Sequence, residues 1–491
     1  MTGAALRGDR GGKRAVGAKK RLASLFSICF LTAAQLMGQI TPPRGSARPV
    51  KSFTLEEAIE YALANYPSVR ASMEEIAAAR SGVSLARTNY LPQLNSIYQA
   101  SRATQNQVAG IWLPTAITPA VEGPVGPASG QSFWGAQAGA LFSWEPIDFG
   151  RRPAMLGEAR TAEDKARADL VLTQLQVATT VGDYFLMALA NQQAVLAAQA
   201  NMERWQVFDN SLRVLVDNQL RPGADGSRAD AELSRAKTQL YQAQHAERVA
   251  LDTLAALMGA AGEEISVDTG PLLGPPPAAS LPEASPSAHP MARDQMAAVR
   301  QVQAQENVLK RTDYPRFFLQ AEGFGRGSEV PNNGTIIGNW NGLAPARGNW
   351  VAGVTILFPD VFDFKALSAK KQIAQTNERS QQAHYQQILQ DLQGQLQAAR
   401  DQLETAQRVA QETPTELRAA RQTEMQSRAR YEAGLATLVE VADAESLLAQ
   451  AEMEDAIARL NIWRGLFNVA YAQGDLKPFL AILHSNVGGK P

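Results

Sequence analysis

The sequence repeats one series of motifs, and this duplication limits the folds that the chain can adopt. The spacing between Pro67 and Pro92 equals that between Pro290 and Pro315. The copies then continue in the same order: 134–142 matches 350–358, Asp148-Phe149 matches Asp363-Phe364, and 230–232 matches 443–445. Such ordered repetition predicts two pseudosymmetric halves. We place them at 51–260 and 291–475, joined by a linker at 261–290 and followed by a tail at 476–491.

The first 50 residues differ in charge from the rest of the chain. They contain nine Lys and Arg residues and a single acidic residue, Asp9, and an uncharged stretch follows at 22–38. This order predicts a secretory signal peptide over residues 1–38, with an uncleaved anchor helix as the alternative. Without residues 1–50, 38 basic and 47 acidic side chains remain, a net charge of −9, which argues against a nucleic-acid partner.

Each half contains two segments in which side chains alternate with a period of two residues. These predicted strands lie at about 94–101 and 133–144 in the first half, and at about 317–325 and 350–358 in the second. Large aromatic side chains lie at the ends of one apolar face. We expect five aromatic residues to face lipid: Trp134, Phe142, Trp144, Trp350 and Phe358. Four strands cannot close a membrane barrel, so several chains would have to contribute. An edge of an ordinary β-sandwich is the alternative.

A long helical hairpin follows each strand pair, at 155–258 and 365–473. In the second hairpin, leucine and alanine recur from Leu389 to Ala410 at alternating intervals of three and four, which predicts a heptad seam. Pro414 predicts a kink or a break. We expect Gly223 and Gly434 to permit the two helix reversals.

Four motifs resemble the TolC-like outer-membrane efflux proteins, also called outer membrane factors. They are Leu-Glu-Glu-Ala-Ile-Glu-Tyr-Ala-Leu at 55–63 with Asn-Tyr-Pro at 65–67, Ala-Arg-Thr-Asn-Tyr-Leu-Pro-Gln-Leu at 86–94, Arg-Tyr-Glu-Ala-Gly at 430–434, and Leu-Val-Glu-Val-Ala-Asp-Ala-Glu at 438–445. Each motif is degenerate, but their order is specific, and the resemblance covers residues 51–475.

The resemblance implies a mostly α-helical protein with a membrane β-barrel portion. Three identical chains would each give four strands to a twelve-stranded barrel in the outer membrane of a Gram-negative-type bacterium. Their long helices would continue as an α-helical tube into the periplasm, with the linker and C-terminal region around its middle. The implied partners are two further copies, outer-membrane lipid, a periplasmic adaptor (membrane fusion) protein and an inner-membrane transporter. The implied function is an exit duct for efflux or type I secretion.

The resemblance also places candidate site residues near the second helix reversal. Glu440 and Asp443 align with the acidic gate positions of the family, where three copies would surround a pore with six carboxylates. Such a ring favours cations, whereas a solvated acidic helix face is the alternative. Tyr431 would narrow the same entrance or simply pack. Leu220, Pro222, Leu435 and Leu438 would be exposed for adaptor docking or would pack the turns. The basic and acidic residues that tie the tip in some members are replaced here by Ala436 and Ser227, so a salt-bridge lock is doubtful.

The sequence does not indicate catalysis. The four histidines, His245, His289, His384 and His484, lack metal-site spacing, and phosphate loops and nucleophile elbows are missing. We therefore expect neither an enzyme nor a cofactor or metal. A secreted coiled-coil rod without a pore is the alternative from another class. The sequence does not identify the cargo, the pump or the resting state of the pore.

Overall fold

The computed structural model describes residues 50–104, 132–274, 281–329, 340–358 and 364–487. The expected signal peptide, most of both strand-connecting loops and the last four residues lie outside these ranges. The chain alternates helices and strands in the order that the duplication predicts.

From the helix that begins at Pro67 onward, the elements of the first half recur in the same order in the second half. The first half contains β1 (Lys51–Phe53), α1 (Leu55–Asn65), α2 (Pro67–Thr88), β2 (Gln93–Thr104), β3 (Ser132–Ile147), α3 (Arg151–Asp217) and α4 (Gly223–Met258). The connection contains β4 (Ile265–Val267) and two short 3₁₀ turns. The second half contains α5 (Pro290–Lys310), β5 (Arg316–Ser328), β6 (Arg347–Leu357), α6 (Phe364–Glu432) and α7 (Leu438–Gln473), and α8 (Lys477–Val487) follows.

The four predicted strand segments form one antiparallel sheet in the order β2-β3-β5-β6. The central pair joins the two halves, with Gly139 opposite Phe324 and Ser143 opposite Gln320. Among the described residues β2 and β6 each pair on one side only, so both are edge strands of this sheet.

The register separates the sheet into an apolar face and a polar face. The apolar face contains Leu94, Tyr98, Trp134, Phe142, Trp144, Leu319, Trp350, Val354 and Ile356. The polar face contains Gln99, Gln137, Ser143, Gln320, Glu322, Arg326, Arg347 and Thr355. Gln320 links three strands, since it donates to Ser143 Oγ and accepts from Thr355 Oγ1 at 3.3 and 3.0 Å. Gln320 and Glu322 lie on the same face of the sheet.

Each of the two long hairpins contains one very long helix. α3 has 67 residues and α6 has 69, so each is on the order of 100 Å long at about 1.5 Å per residue. α3 packs against α4, and α6 packs against α7. The heptad seam of α6 faces its neighbours, with Leu392, Ala399 and Ala406 buried. Within the residues that the structure describes, no helix has a stretch both long and apolar enough to cross a membrane.

Of the kink or break expected at Pro414, the break is wrong, because α6 continues through this residue. Proline lacks the N–H that would bond to residue 410 and costs about 3 kcal/mol inside a helix. Packing on α7 offsets this cost: the preceding Thr413 is buried and donates its hydroxyl to Asp455 Oδ1 at 3.2 Å.

The largest hydrophobic core lies where the middle of the long helices packs against α1, the linker and α8. Phe185 of α3, Trp463 and Phe467 of α7, and Phe479 of α8 are fully buried there. The expected tail is therefore partly an ordered helix that completes the core. The expected linker is also structured, since β4 pairs in parallel with β1 beside the same core.

Candidate functional site

Two helix reversals form the end of the molecule opposite the sheet, and we call them the tip turns. The first joins α3 to α4 at 218–222, and the second joins α6 to α7 at 433–437. Gly434 has a φ of +75°, as expected for a left-handed reversal. In the first turn the left-handed residue is Gln219, with a φ of +59°, so the expectation for Gly223 is wrong. Gly223 instead begins α4, with Pro222 as its N-cap residue.

Tyr431 connects the two tip turns. The Arg221 guanidinium lies 4.4 Å from the centre of the Tyr431 ring and donates to the Tyr431 carbonyl oxygen. The Tyr431 hydroxyl donates to Asp225 Oδ2 at 3.1 Å. Burial, followed by the neighbouring Asp225, raises the pKa of Tyr431 to about 12, so the hydroxyl keeps its proton at physiological pH. Ala436 and Ser227 stand where some family members tie the turns with a salt bridge, and in this chain Arg221, Asp225 and Tyr431 connect them instead.

A small apolar cluster lies directly beneath this tie. It consists of Leu212, Ala229, Tyr431, Leu438 and Val441. Leu438 is only 3% exposed, so its expected exposure for docking is wrong. Tyr431 is equally buried and packs on Phe208 at 5.7 Å, which favours the packing interpretation of this residue within one chain.

The other docking candidates are exposed on the tip turns. Leu220 in the first turn is 69% exposed, and Leu435 in the second is 71% exposed. Pro222 in the first turn is also exposed. The described part of the chain leaves these apolar side chains accessible to solvent.

Glu440 and Asp443 lie in the first two turns of α7 but differ in their partners. Glu440 completes a capping box, because its carboxylate accepts from the Thr437 N–H at 3.1 Å while Thr437 Oγ1 accepts from the Glu440 N–H. It also lies 4.0 Å from Arg430. Asp443 is exposed and lines a cavity of about 600 Å³ between α3, α4 and α7. This cavity also carries Glu232, Arg235 and Glu454.

A buried ionic network above the tip fixes the second hairpin to the first. Glu445 is almost fully buried and contacts Arg204 of α3 at 3.0 Å as well as Arg428 of α6. Arg204 also contacts Glu452 at 3.1 Å. The sequence gives no local signal for this network, since Arg204 lies more than 200 residues from both of its partners.

The five expected lipid-facing aromatic residues lie on or beside the apolar face of the sheet. Trp350 is 83% exposed, and Phe358 and Trp144 are also exposed. Trp134 is half-buried because it stacks on Trp340 at 5.5 Å and lies beneath the Arg102 guanidinium. Phe142 is half-buried as well. Their contact with lipid stays a prediction.

The histidines do not converge on one place. His289 caps α5, accepting from the Met291 N–H and contacting the Tyr471 carbonyl oxygen at 3.1 Å, and burial lowers its pKa. His484 of α8 lies 2.8 Å from Glu56 of α1. Among the described residues, His, Cys, Asp and Glu side chains form no group that could hold a metal ion.

Comparison with known proteins gives a consistent result. The family model described as outer membrane efflux protein matches residues 58–260 and 287–468. Protein CyaE of Bordetella pertussis (strain Tohama I) is 27% identical over 322 residues, which is 60% of this chain. The alignment spans 62% of the length of that curated relative.

Solved structures share the fold. The CusC structure, whose study concerns folding and transmembrane channel formation, has a TM-score of 0.70 at 15% identity, covering 89% of this chain and 96% of that one. The open state of the Neisseria gonorrhoeae MtrE outer membrane channel has a TM-score of 0.64 at 20% identity, covering 86% of this chain and 89% of that one. The resemblance inferred from the sequence motifs is confirmed by these matches. The chain belongs to the outer membrane efflux protein family.

Proposed function

We propose that the protein is the outer-membrane exit duct of an efflux or type I secretion system, conducting substrates passively from the periplasm to the exterior. The observation that carries this proposal is the incomplete two-faced sheet. One face is apolar with exposed aromatic residues, the other is polar, and within the described ranges β2 and β6 pair on one side only. A sheet with these properties suits the wall of a pore between lipid and water.

Three copies would complete the wall. Twelve strands leave no open edge, because β6 of one copy pairs with β2 of the next. The long helices also have exposed apolar side chains that a neighbouring copy would cover, including Val207, Val214, Tyr241, Ile373 and Met425. The helices would then form the periplasmic tube, and the open 600 Å³ cavity beside Asp443 would face its lower part.

Passage would be controlled at the tip turns. The contacts of Tyr431 with Arg221 and Asp225 hold the two reversals of one chain together, which favours a narrow resting tip. Glu440 and Asp443 would give three copies six carboxylates near the entrance and a preference for cations. The gate is thus a combination of a mechanical tie and an acidic lining, and an enzymatic step has no part in it.

The exposed Leu220, Pro222 and Leu435 would receive the periplasmic adaptor. Apolar side chains at a tube end suit an amphipathic helical hairpin, and the adaptor would link the duct to an inner-membrane transporter. Cargo selection would then belong mainly to that transporter.

The alternative is a secreted coiled-coil rod without a pore. A rod explains the long hairpins but gives no reason for the separation of Trp350 and Val354 from Gln320 and Glu322 on opposite faces of the sheet. Cell fractionation distinguishes the two, because a rod would be released with the soluble periplasmic or secreted proteins.

Disulfide crosslinking tests the closure of the wall. We would combine Ala100→Cys in β2 with Ala352→Cys in β6, which lie in opposite edge strands of the same sheet. Oxidation in outer-membrane fractions should give covalent dimers and trimers and nothing larger, whereas each single variant should give at most dimers. Monomers alone, in the soluble fraction, would contradict the proposal.

A further inference from the structure

One carboxylate on the polar face of the sheet is buried without a matching donor. Glu322 in β5 is 8% exposed, and within the described part of the chain its Oε2 atom is buried and has no hydrogen-bond partner. The strand register places Glu322 opposite Leu141 of β3 and Val351 of β6. Both of these side chains are apolar, so the cross-strand neighbours donate no hydrogen bond to the carboxylate.

The neighbours of Glu322 on the same face of β5 do not compensate its charge either. Gln320, two residues earlier, is already engaged, since it donates to Ser143 Oγ and accepts from Thr355 Oγ1. Phe324, two residues later, is an apolar side chain with 9% exposure. The carboxylate therefore lies in a largely apolar part of an otherwise polar face.

The basic residues of β5 on this face lie farther along the strand. Arg316 is held by Glu145 through two contacts of 2.9 and 2.8 Å. Arg326 lies four residues from Glu322, which separates their Cα atoms by about 13 Å at about 3.3 Å per residue.

Other glutamates at the sheet show that this fold can provide partners for a carboxylate. Glu145 has Arg316, and the buried Glu329 accepts from the Trp134 N–H at 2.8 Å. Taking a carboxylate out of water without such a partner is unfavourable. Glutamine at 322 would fill nearly the same volume without the charge. A cationic ligand therefore explains the carboxylate of Glu322 better than packing does.

We propose that Glu322 binds the ammonium groups of cationic organic solutes that pass along the polar face. The inference rests on the proposed function, since a channel wall would bring such solutes to this face. Three copies would each present one of these carboxylates at the same height of the wall. Cation preference would then have a second position besides Glu440 and Asp443, which lie in α7 at the tip turns.

An organic ammonium fits these surroundings better than a metal ion does. Divalent cations in proteins take about six or more oxygen ligands. Around Glu322 the described residues instead supply one carboxylate with the apolar side chains of Leu141, Val351 and Phe324. A single carboxylate pairs with an ammonium group, and the apolar side chains suit the carbon chain attached to it.

The first test is the binding of butylammonium chloride to the full chain, purified in neutral detergent and titrated by ligand-observed NMR. The variant Glu440→Gln/Asp443→Asn serves as the background, so that the carboxylates at the tip do not contribute. In this background, Glu322→Gln should raise the dissociation constant about tenfold, because the amide lacks the charge. Glu322→Asp should raise it less, since it keeps the charge. Butanol has the same carbon chain without a charge, and its binding should change by less than about twofold in either variant.

The second test is the ion selectivity of single channels in neutral phosphatidylcholine bilayers. Glu322→Gln should lower the potassium-to-chloride permeability ratio about threefold. Arg316→Gln/Glu145→Gln is the control, because it removes a paired cation and anion of the same sheet without changing the net charge. Its effect on the ratio should be less than about twofold.

Conducting Glu322→Gln channels with wild-type selectivity, from protein with wild-type affinity for butylammonium, would overturn the ammonium site and leave the duct intact. Equal weakening of butanol binding would also overturn it, because the effect would then be one of packing. Folded wild-type protein that binds butylammonium through Glu322 but does not conduct would contradict the proposed function and leave the ammonium site.

Discussion

At the scale of single residues, Asp443 is a better candidate than Glu440 for binding cations in the duct. Glu440 is held by the Thr437 backbone and lies near Arg430, whereas Asp443 is exposed toward an open cavity. A carboxylate that already accepts hydrogen bonds and has a cationic neighbour attracts a mobile cation less.

We therefore predict unequal effects of neutralising these two residues. Asp443→Asn should raise the concentration of a divalent cation that half-blocks the channel by about tenfold. Glu440→Gln should have a smaller effect, and its amide can still complete the capping box. Single-channel recording with Mg²⁺ on the helix side measures both values. A larger effect of Glu440→Gln would contradict this assignment.

Leu435 and Leu438 allow a second comparison, because both are leucines near the second tip turn but only Leu438 is buried. Leu438→Ala should destabilise the tip by about 2–5 kcal/mol, because it empties part of the cluster beneath Tyr431. Leu435→Ala should change stability by less than about 0.5 kcal/mol, since its side chain is exposed. Hydrogen exchange of the backbone amides at 429–441 measures the difference.

For adaptor binding, we expect Leu435→Ala to have a larger effect than Leu438→Ala. Leu435→Ala should weaken binding of the adaptor hairpin if this side chain forms the docking surface, while leaving exchange at the tip unchanged. Equal loss of tip protection in both variants would show that Leu435 packs within the chain.

The sequence identified the reversal at Gly434 but not the one at Gln219. Glycine is the usual residue for a left-handed helix end, so the pattern pointed to Gly223 in the first turn. Non-glycine residues adopt this conformation where surrounding contacts hold them there, and such contacts are not visible in local sequence. The burial of Leu438 was missed for a related reason, because Leu212 and Ala229 of the other hairpin cover it.

At the scale of elements, the contact between α3 and α5 depends on an unusual acidic group. Lys165 of α3 contacts Asp169 at 2.5 Å and Asp294 of α5 at 2.9 Å. Burial raises the pKa of Asp294 to about 6, with Asp169 adding to the increase and Lys165 opposing it. Two carboxylates share a single ammonium group, so the buried one retains a proton more readily.

This arrangement predicts that the contact weakens as pH rises. Since the folded pKa lies above the ordinary value of 3.8, the stabilisation is complete below pH 3.8 and is lost as pH rises through about 6. Opening measured by hydrogen exchange at 290–300 should be about tenfold more frequent at pH 7.5 than at pH 5, after correction for intrinsic exchange.

Asp294→Asn should remove this pH dependence and slow the opening at pH 7.5. Asp164→Asn is the control, because Asp164 is exposed on the same helix α3. An unchanged pH dependence in Asp294→Asn would show that another group controls the contact.

The sequence predicted the long helices and strands well and the short elements poorly. Period-two alternation and the heptad seam extend over many residues, so they identified β3 and α6. The three-residue strands β1 and β4 are too short to show a period. The eleven-residue α8 depends on Phe479 packing against Trp463 and Phe467, which is a tertiary effect.

At the scale of the whole molecule, the described four-stranded sheet of one chain does not close into a barrel. In the part of the chain that the structure describes, β2 and β6 are edge strands and the long helices have exposed apolar side chains. Duplication explains the pseudosymmetry within one chain, but the number of copies is a property that a single sequence shows only through a family resemblance. The proposed duct therefore requires several copies of this chain.

Single-channel conductance of purified wild-type protein in planar bilayers tests this central claim most directly. A duct with an acidic entrance should show discrete openings of uniform size that prefer cations when ions enter from the helix side. Folded trimers that insert into the bilayer without any conductance would contradict it and favour the rod.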